Sequence, residues 1–306
     1  MAKYLVTGGA GFIGSHLVDK LINQGDKVIV IDNLSTGKKK YINSNAIFYQ
    51  TDICSDKKMK QIFKKENFDF VFHLAAQTSV VESIGDPFQD NKVNAIGSLN
   101  IFKNCVDNGI KKIVFFSTGG AIYGDVEKAV KEDHLPNPDS PYAIHKFVAE
   151  KYLEILHKIN NLNYIILRPG NIYGPRQYKG GEGAVIAVFT YNNINNKKSI
   201  IYGDGLQTRD YVYVDDVVNV ALIAIKSNIQ GVFNISNGRA LNIFDLIKVI
   251  EKVTNRKFKY EHQSSRSGEV KNSVLDISKA KKVLRWKPTT ALEKGIKETI
   301  NWAKEN

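Results

Sequence analysis

Short apolar runs alternate with helical apolar stripes from the start of this chain. Lys3 to Val6 is an apolar run of the length of a buried strand, and Val28 to Ile31 is a second one that ends on Asp32. Between them lies a helical pattern that stops at Gly25. Its apolar face consists of Phe12, Ile13, Leu17, Leu21 and Ile22. The pattern predicts a strand–loop–helix–strand unit.

The same alternation continues along the chain. Further strands are predicted at Ala46–Tyr49, Phe70–Leu74, Ile113–Phe116 and Tyr211–Val214. Further helices are predicted at Asn91–Asp107, Tyr142–Lys158, Leu241–Val253, Ser278–Leu284 and Thr290–Ala303. Strands that alternate with helices indicate the α/β class, with a doubly wound parallel sheet covered on both faces.

Glycines occupy the loop between the first strand and the first helix. They fit two spacings, Gly9-x-Gly11-x-x-Gly14 and Gly8-x-x-Gly11-x-x-Gly14. Such glycines allow a tight turn and a close approach of the backbone to a pyrophosphate, which the helix N-terminus then attracts. An ordinary glycine-rich turn is the alternative, but the flanking strand, the helix and Asp32 supply the context of a Rossmann-type dinucleotide site.

Asp32 predicts which dinucleotide binds. A carboxylate at the end of the second strand accepts hydrogen bonds from the adenosine ribose hydroxyls and repels a 2′-phosphate, which favours NAD over NADP. Lys38, Lys39 and Lys40 follow and could hold such a phosphate, but a solvated basic loop is the favoured interpretation. Asp52 is placed either to reach an adenine amino group or to cap the next helix.

Length and composition agree with a globular protein. The 306 residues suffice for one large domain or two joined ones, and no apolar run approaches the roughly 18 residues of a membrane span. The first strand starts at once, so no signal peptide is expected. Cys54 and Cys105 form no paired motif, which argues against a disulfide framework or a thiolate metal site. We therefore expect a cytoplasmic protein without a bound metal.

The chain is basic, with a formal net charge of +12. Nucleic-acid binding is one interpretation. The lysines, however, occur as short pairs and triplets with no aromatic–basic RNA motif or zinc-finger spacing. No nucleic-acid or membrane partner is expected, and a positive field would help to attract an anionic substrate.

Several residues near the predicted carboxyl ends of strands are candidates for a site. The small residues Ala75 and Ala76 permit close approach of a cofactor. His73 is predicted to be packed or locally bonded rather than catalytic. Asn94, a polar residue on an otherwise packed helix face, is predicted to hold a backbone carbonyl near the site.

Hydroxyls and a tyrosine–lysine pair supply the candidate chemistry. Ser117 and Thr118 follow a strand, where they face the ligand crevice of a parallel sheet. Ser140 and Pro141 suit the N-cap and first position of a helix, which places Tyr142 and Lys146 one turn apart on the same face.

Tyr142 must ionise more readily than a free tyrosine if it is to act as a base. Lowering its pKa from about 10 to about 7 requires roughly 4 kcal/mol. An ammonium at about 4 Å supplies a comparable gross attraction at an effective dielectric near 20. Lys146 together with NAD⁺ is therefore predicted to make Tyr142 a working base.

These motifs, together with several later ones, resemble the extended short-chain dehydrogenase/reductase family over essentially the whole chain. Within that family they are most like those of the UDP-glucose (UDP-galactose) 4-epimerases. The matching stretches are Thr7–Gly14, His73–Gln77, Ser117–Gly124, Tyr142 with Lys146, Leu167–Arg176, Gly203–Val212 and Arg266–Val270.

The resemblance implies a set of site residues. The implied catalytic residues are Tyr142, Lys146, Thr118 and Ser117. Those implied to bind NAD are Gly8, Gly11, Phe12, Ile13, Gly14, Asp32, Asn33, Asp52, Ile53, Leu74, Ala75, Ala76, Gln77, Asn94, Tyr142 and Lys146. Those implied to bind the UDP-sugar are Thr118, Tyr142, Asn171, Arg209, Arg266, Glu269 and Ser273. Each arginine alone has a surface ion pair as its alternative.

The resemblance also implies a reaction, a domain division and an assembly. Tyr142 takes the proton of the sugar's 4-hydroxyl, hydride passes to tightly held NAD, and the 4-keto sugar turns before hydride returns to its other face. Residues 1–174, with 208–236 returning, are expected to hold NAD, and 175–207 with 237–306 the nucleotide sugar. A homodimer through the Asn91–Asp107 and Tyr142–Lys158 helices is expected.

One departure separates close alternatives. Where the family often has Ser or Thr, this chain has Gly119, so the role of Thr118 is open. Sugar 4,6-dehydratases typically carry acids where Gly119 and Gly120 stand, which argues against elimination of water. Ser273 is small at a position that narrows the sugar pocket in the family, so N-acetylated sugars are expected to enter. Epimerases of UDP-N-acetylglucosamine or UDP-glucuronate remain alternatives, as does a non-catalytic NAD sensor.

Overall fold

The computed structural model describes residues 1–177, 184–265 and 270–305. The chain divides into two compact units. Unit 1 comprises Met1–Thr118, Ser140–Leu167 and Val218–Phe233, and unit 2 comprises Gly119–Asp139, Arg168–Val217 and Asn234–Asn306. The predicted domain division concerns which ligand each part holds, and it stays a prediction. Within the described ranges, no helix has the length and apolar character that crossing a membrane requires.

The strands lie where apolar and β-branched residues cluster. They are β1 (Lys3–Thr7), β2 (Lys27–Asp32), β3 (Ile47–Gln50), β4 (Phe70–His73), β5 (Lys112–Phe116), β6 (Tyr164–Pro169), β7 (Asn171–Tyr173), β8 (Ser199–Tyr202), β9 (Thr208–Tyr213), β10 (Gly231–Ile235), β11 (Ala240–Asn242) and β12 (Tyr260–Gln263).

Helices connect most of these strands. They are α1 (Phe12–Asn23), α2 (Asp56–Glu66), α3 (Val80–Gly85), α4 (Pro87–Asn91), α5 (Ser98–Asp107), α6 (Gly119–Ile122), α7 (Pro141–Asn160), α8 (Val185–Ile194), α9 (Val214–Lys226), α10 (Ile243–Thr254), α11 (Ser278–Val283) and α12 (Leu292–Glu305). A short 3₁₀ helix spans Lys39–Tyr41, and a π-helix spans Lys92–Gly97.

The main sheet has seven strands in the order β10-β6-β5-β4-β1-β2-β3. The pairs from β6 to β3 are parallel. This is the doubly wound, Rossmann-type order, so the predicted fold class is confirmed. The register sets Thr7 opposite both Ile31 and His73, so the loops that follow these strands leave the sheet at one edge.

One apolar cluster stabilises unit 1. Its fully buried members come from strands and helices on one face of the sheet, including Leu5, Ile113 and Phe115 from strands and Phe102 and Leu153 from helices. Each fully buried side chain of this size contributes about 1.5–3 kcal/mol relative to exposure. The packing of α5 and α7 over β4 and β5 therefore fixes α7, the helix that carries Tyr142 and Lys146.

Two predicted helices differ from the structure. The segment predicted as one helix over Asn91–Asp107 contains the end of α4, the π-helix and α5. A π-turn adds a residue to a helical turn and is often found at functional sites. The helix predicted from Leu241 begins instead at Ile243, because Asn242 ends β11 and its side chain caps α10 by accepting from the Asp245 N–H at 2.8 Å.

Unit 2 contains two small sheets. One has the order β11-β9-β7 and the other pairs β12 with β8 in parallel. The Asp216 carboxylate, in the first turn of α9, accepts hydrogen bonds from the N–H groups of Thr289 and Thr290, each at 3.0 Å. The segment before α12 is thereby tied to α9.

Candidate active site

The glycine loop is packed too closely for side chains at two of its positions. A Cβ at Gly14 would lie 2.1 Å from the Gly8 carbonyl oxygen. A Cβ at Gly8, whose φ is +72°, would lie 2.7 Å from the Ala75 backbone nitrogen. Helix α1 starts after Gly11 with no side chain capping its N–H groups. The loop thus presents backbone N–H groups to a phosphate, with Phe12 and Ile13 in the first turn, and its geometry fits the pyrophosphate of NAD.

Asp32 lies at the carboxyl end of β2, and each of its carboxylate oxygens accepts one backbone hydrogen bond. Oδ2 accepts from Ala10 at 3.0 Å and Oδ1 from Leu34 at 2.8 Å. Burial raises the pKa of Asp32, and these two N–H groups oppose the rise. Because each carboxylate oxygen has two acceptor positions, both can still receive a ribose hydroxyl. The position fits the predicted role toward NAD.

Asp52 is held in a local turn. Its Oδ1 accepts from the Cys54 N–H at 2.8 Å and its Oδ2 from Asn33 Nδ2 at 3.1 Å. Burial opposes the charged form, but these hydrogen bonds and nearby Lys92 hold the pKa of Asp52 below its usual value. Helix α2 begins at Asp56 with Ser55 as N-cap, so the alternative that Asp52 caps that helix is wrong. The hydrogen bond from Asn33 to Asp52 brings together two of the residues predicted to bind NAD.

The loop after β4 carries the predicted residues Leu74, Ala75, Ala76 and Gln77. Thr7 Oγ1 accepts from the N–H groups of Leu74 and Ala75, each at 3.2 Å. Asn94 donates to the Gln77 carbonyl at 2.9 Å and accepts from the Gln77 N–H at 3.1 Å. The prediction that Asn94 holds a backbone carbonyl is confirmed. Nearby, the Ile53 carbonyl accepts from Asn100 at 2.6 Å.

His73 is buried and locally bonded, as predicted. Its Nδ1 lies 2.7 Å from Thr7 Oγ1 and its Nε2 lies 2.9 Å from Ser98 Oγ. Burial, followed by the charge of Lys146, lowers the pKa of His73 well below its ordinary value. A neutral imidazole with both nitrogens engaged is a structural element of the sheet edge.

Helix α7 presents Tyr142 and Lys146 beside the end of β5. Ser140 caps the helix by accepting from the Ala143 N–H at 3.3 Å, and Pro141 is its first residue, as predicted. Tyr142 is hydrogen-bonded to the Thr118 hydroxyl. The Lys146 ammonium is buried and lies 4.4 Å from the centroid of the Phe115 ring.

Ser117 directly follows β5 and precedes Thr118. Ser117 is buried, and among the described residues its Oγ has no hydrogen-bond partner. A buried hydroxyl without a partner costs free energy unless a ligand or water satisfies it. It therefore fits a site that is completed by a bound molecule.

Burial is the main influence on the pKa of Tyr142. Burial raises it to about 12, the Thr118 hydrogen bond lowers it, and the charge of Asp90 raises it. Burial also lowers the pKa of Lys146 to about 7, against the opposing charges of Glu150 and Asp90. Desolvation therefore penalises the charged form of both side chains.

The absence of a hydroxyl at position 119 has a steric reason. A Cβ on Gly119 would lie 2.6 Å from Leu275 Cδ1 and 2.8 Å from the Arg168 carbonyl oxygen. A serine there would have to displace buried neighbours. Thr118, one residue earlier, supplies the hydroxyl that contacts Tyr142.

Of the residues predicted to bind the nucleotide sugar, Thr118 and Tyr142 lie in unit 1, and Asn171, Arg209 and Ser273 lie in unit 2. Asn171 lies near Gly120, since a Cβ built on Gly120 would be 3.5 Å from Asn171 Oδ1, an ordinary contact distance. Arg209 donates to the backbone carbonyls of Thr208 at 3.0 Å and Lys271 at 3.2 Å. Ser273 is buried, and its N–H donates to the Thr208 carbonyl at 3.2 Å. Arg266 and Glu269 lie outside the described residues, so their predicted roles stay predictions.

Two residues at this site carried no signal in the sequence. Asp90 is buried and accepts from His145, which precedes Lys146 on α7. The two are 55 positions apart, and neither belongs to a motif. The position of His145 between Tyr142 and Lys146 was the one available hint, since residues on that turn lie near the catalytic pair.

The fold and the site together define an NAD-dependent enzyme of the short-chain dehydrogenase/reductase class. The fold contributes the Rossmann-type sheet, and the site contributes the glycine loop, the acid after β2 and the tyrosine–lysine pair near the hydroxyl that follows β5. The family model described as "NAD dependent epimerase/dehydratase family" matches residues 4–236. The chain belongs to this family.

Three solved structures are similar over nearly the whole chain. A UDP-glucose 4-epimerase of Thermotoga maritima with UDP-glucose is 45% identical, with a TM-score of 0.96 and 99% of each chain covered. A UDP-glucose 4-epimerase of Thermus thermophilus in complex with NAD is 35% identical, with a TM-score of 0.95 and 99% of each chain covered. A UDP-N-acetylglucosamine 4-epimerase of Methanobrevibacter ruminantium in complex with UDP-N-acetylmuramic acid is 36% identical, with a TM-score of 0.93, covering 99% of this chain and 98% of the other.

Proposed function

We propose that this NAD-dependent enzyme interconverts UDP-glucose and UDP-galactose by epimerisation at carbon 4 through a 4-keto sugar. The observation that carries the proposal is the contact between Tyr142 and the Thr118 hydroxyl. Tyr142 lies one helical turn before Lys146 on α7. Similarity to the Thermotoga maritima enzyme, which was solved with UDP-glucose, supports this choice of substrate.

The chain's own residues account for the proton chemistry. The Tyr142 phenolate accepts the proton of the sugar's 4-hydroxyl, and the Thr118 hydroxyl relays or stabilises the charge that develops. The buried Lys146 ammonium stabilises the phenolate. When bound, NAD would supply the hydride acceptor for carbon 4 and the hydride source for the return to the other face of the sugar.

The remaining predicted residues orient the substrate. Asn171 can donate its amide to a phosphate or sugar oxygen, and Arg209, which also donates to two backbone carbonyls, can offer its guanidinium to a diphosphate. Arg266 is proposed to act on the same diphosphate, and Glu269 on the uridine ribose. A nucleotide sugar is thereby held so that it can turn at its sugar end while its uridine diphosphate stays fixed.

Product analysis with a panel of donors tests the function. The purified chain is incubated with UDP-glucose, UDP-galactose, UDP-N-acetylglucosamine and UDP-glucuronate, and the products are separated by chromatography. Formation of UDP-galactose from UDP-glucose is the expected result. Turnover confined to UDP-glucuronate or UDP-N-acetylglucosamine would replace the proposed substrate, and bound NAD without turnover of any donor would favour a non-catalytic sensor.

Ser273 yields a prediction about substrate breadth. We expect the wild-type chain to convert UDP-N-acetylglucosamine as well, because a serine leaves room for an N-acetyl group. Ser273→Tyr is expected to lower kcat/KM for UDP-N-acetylglucosamine at least about tenfold relative to that for UDP-glucose, the scale of one small group in a pocket. Ser273→Ala serves as the matched control, and melting temperatures exclude a folding defect, since Ser273 is buried. A wild-type enzyme that never accepts the N-acetylated donor contradicts this prediction.

The chain is proposed to form a homodimer through α7 and the neighbouring helices of unit 1. These helices expose apolar side chains, among them Phe88 with 85% and Ile159 with 71% of their surface accessible. Ile155 lies one turn before Ile159 on α7. The substitution Ile155→Glu is expected to raise the dimer dissociation constant at least about tenfold. Analytical ultracentrifugation measures it, and Ile47→Glu, an exposed isoleucine on β3, is the control. A wild type that sediments as a monomer at micromolar concentration refutes the proposal.

A further inference from the structure

The Asp90 carboxylate is buried at the end of α4, and its side chain has no exposed surface. It accepts from His145 Nδ1 at 2.6 Å, from Gln77 Nε2 at 2.8 Å and from Asn94 Nδ2 at 3.0 Å. Burial of a carboxylate is costly unless hydrogen bonds replace its water. A carboxylate oxygen accepts hydrogen bonds, and these three donors occupy the acceptor positions of Asp90.

The three donors come from three segments around the catalytic pair. His145 lies on α7, immediately before Lys146. Gln77 lies in the loop after β4, whose start packs against the glycine loop at Gly8. Asn94 lies in the π-helix and also holds the backbone of Gln77 through both its carbonyl and its N–H. One carboxylate therefore links the catalytic helix to the predicted cofactor loop.

The charge of Asp90 also acts on the two catalytic groups. It opposes the desolvation that lowers the pKa of Lys146 to about 7. It raises the pKa of Tyr142. The other titratable groups near Lys146 are Glu150 on α7, which acts in the same direction as Asp90, and His73 on β4, which is neutral in this buried position.

We propose that Asp90 is a positioning residue of the epimerase: through His145 and Gln77 it holds the catalytic helix against the loop after β4, and its carboxylate places a fixed negative charge near the catalytic pair. This inference rests on the proposed function for its kinetic test alone. The placement of the helix and the loop is measurable without any substrate.

Asp90→Asn is the first test. It removes the charge at nearly constant volume and turns one acceptor into a donor that faces other donors. We expect kcat to fall about 10- to 100-fold while KM for UDP-glucose changes less than about threefold. Because the pKa values of Lys146 and Tyr142 both fall when a nearby negative charge is lost, both limbs of the kcat–pH profile are expected to move to lower pH, by about one unit.

A purely structural Asp90 would lower kcat without moving the limbs, and that result overturns the proposal. So does an Asp90→Asn enzyme whose kcat and pH limbs match the wild type. Asp86→Asn is the matched control. Asp86 is an exposed acid that caps α4 by accepting from the Gln89 N–H at 2.9 Å, which an asparagine can also do, and its variant is expected to behave as the wild type.

If Asp90→Asn does not fold, His145→Gln tests the positioning role of Asp90. His145 is at the rim of the network, with 15% of its side chain exposed, so the variant is expected to fold. We expect kcat to fall about tenfold with no shift of the pH limbs, because the Asp90 charge is kept. In hydrogen–deuterium exchange on the substrate-free chain, residues 74–79 are expected to exchange at least about threefold faster in both variants than in the wild type.

The exchange measurement separates two failures. If the wild type turns over no UDP-sugar while residues 74–79 exchange faster in the variants than in the wild type, the proposed function is wrong and the positioning role of Asp90 is supported. Exchange that stays at the wild-type rate in His145→Gln overturns the positioning role whatever the activity.

Discussion

Tyr142→Phe is expected to lower kcat for the interconversion of UDP-glucose and UDP-galactose by about 10²- to 10⁴-fold, the usual contribution of a general base. The phenol oxygen is the atom that Thr118 contacts, and Lys146 follows Tyr142 by one turn on helix α7. A phenylalanine keeps the ring and removes the group that takes the proton. Initial rates at saturating UDP-glucose, measured by product chromatography, give the change in kcat.

Tyr152→Phe is the matched control for this variant. Tyr152 lies on the same helix, with 39% of its surface exposed, and its removal is expected to leave the rate within about twofold of the wild type. Bound NAD and the melting temperature of Tyr142→Phe should be those of the wild type, since the ring that packs is retained. Undiminished interconversion by Tyr142→Phe would exclude the proposed base.

Gly14→Ala is expected to have an effect of similar size, on cofactor binding instead of chemistry. The new Cβ would lie 2.1 Å from the Gly8 carbonyl oxygen and 2.9 Å from the Gly9 Cα, both backbone atoms. Helix α1 must then move away from the loop, which takes its N-terminal N–H groups from the pyrophosphate. We expect NAD affinity to fall about a hundredfold, as for a displacement of about 1 Å in a preorganised site, and stability to fall by about 1–3 kcal/mol.

The amount of NAD that copurifies per chain and the melting temperature measure these two effects. Gly85→Ala is the control, because a Cβ on Gly85 meets no atom within 4 Å. A Gly14→Ala chain that retains NAD and melts like the wild type would show that the close contact at Gly14 is not needed to bind the cofactor.

Local patterns predicted a large part of this fold. The apolar runs predicted β1, β2, β4 and β5 to within two residues, because a buried strand must be apolar over its own length. Ser140 and Pro141 marked the start of α7, because capping depends on residues adjacent in the chain. Tyr142 and Lys146 could be placed on one face of α7 for the same reason.

Contacts between distant segments could not be predicted in this way. The apolar pattern predicts an ordinary helix where the structure has the π-helix at Lys92–Gly97, because the pattern of one turn does not reveal an added residue. Burial raises the pKa of Tyr142 to about 12 and lowers that of Lys146 to about 7, and the tyrosine–lysine spacing in the sequence predicts neither effect. Desolvation depends on all the atoms packed around a group, and a sequence pattern does not state them.

The sequence by itself determined the parallel sheet, the NAD class of cofactor and the tyrosine–lysine pair, because each follows from residues that are close together along the chain. Only the tertiary structure decided that position 119 has no space for a side chain, that Thr118 contacts Tyr142, and that the Asp90 carboxylate joins α7 to the loop after β4. These outcomes depend on side chains brought together by the packing of α4 and α7 on the sheet, and hydrogen bonds at such contacts exist only once that packing has formed.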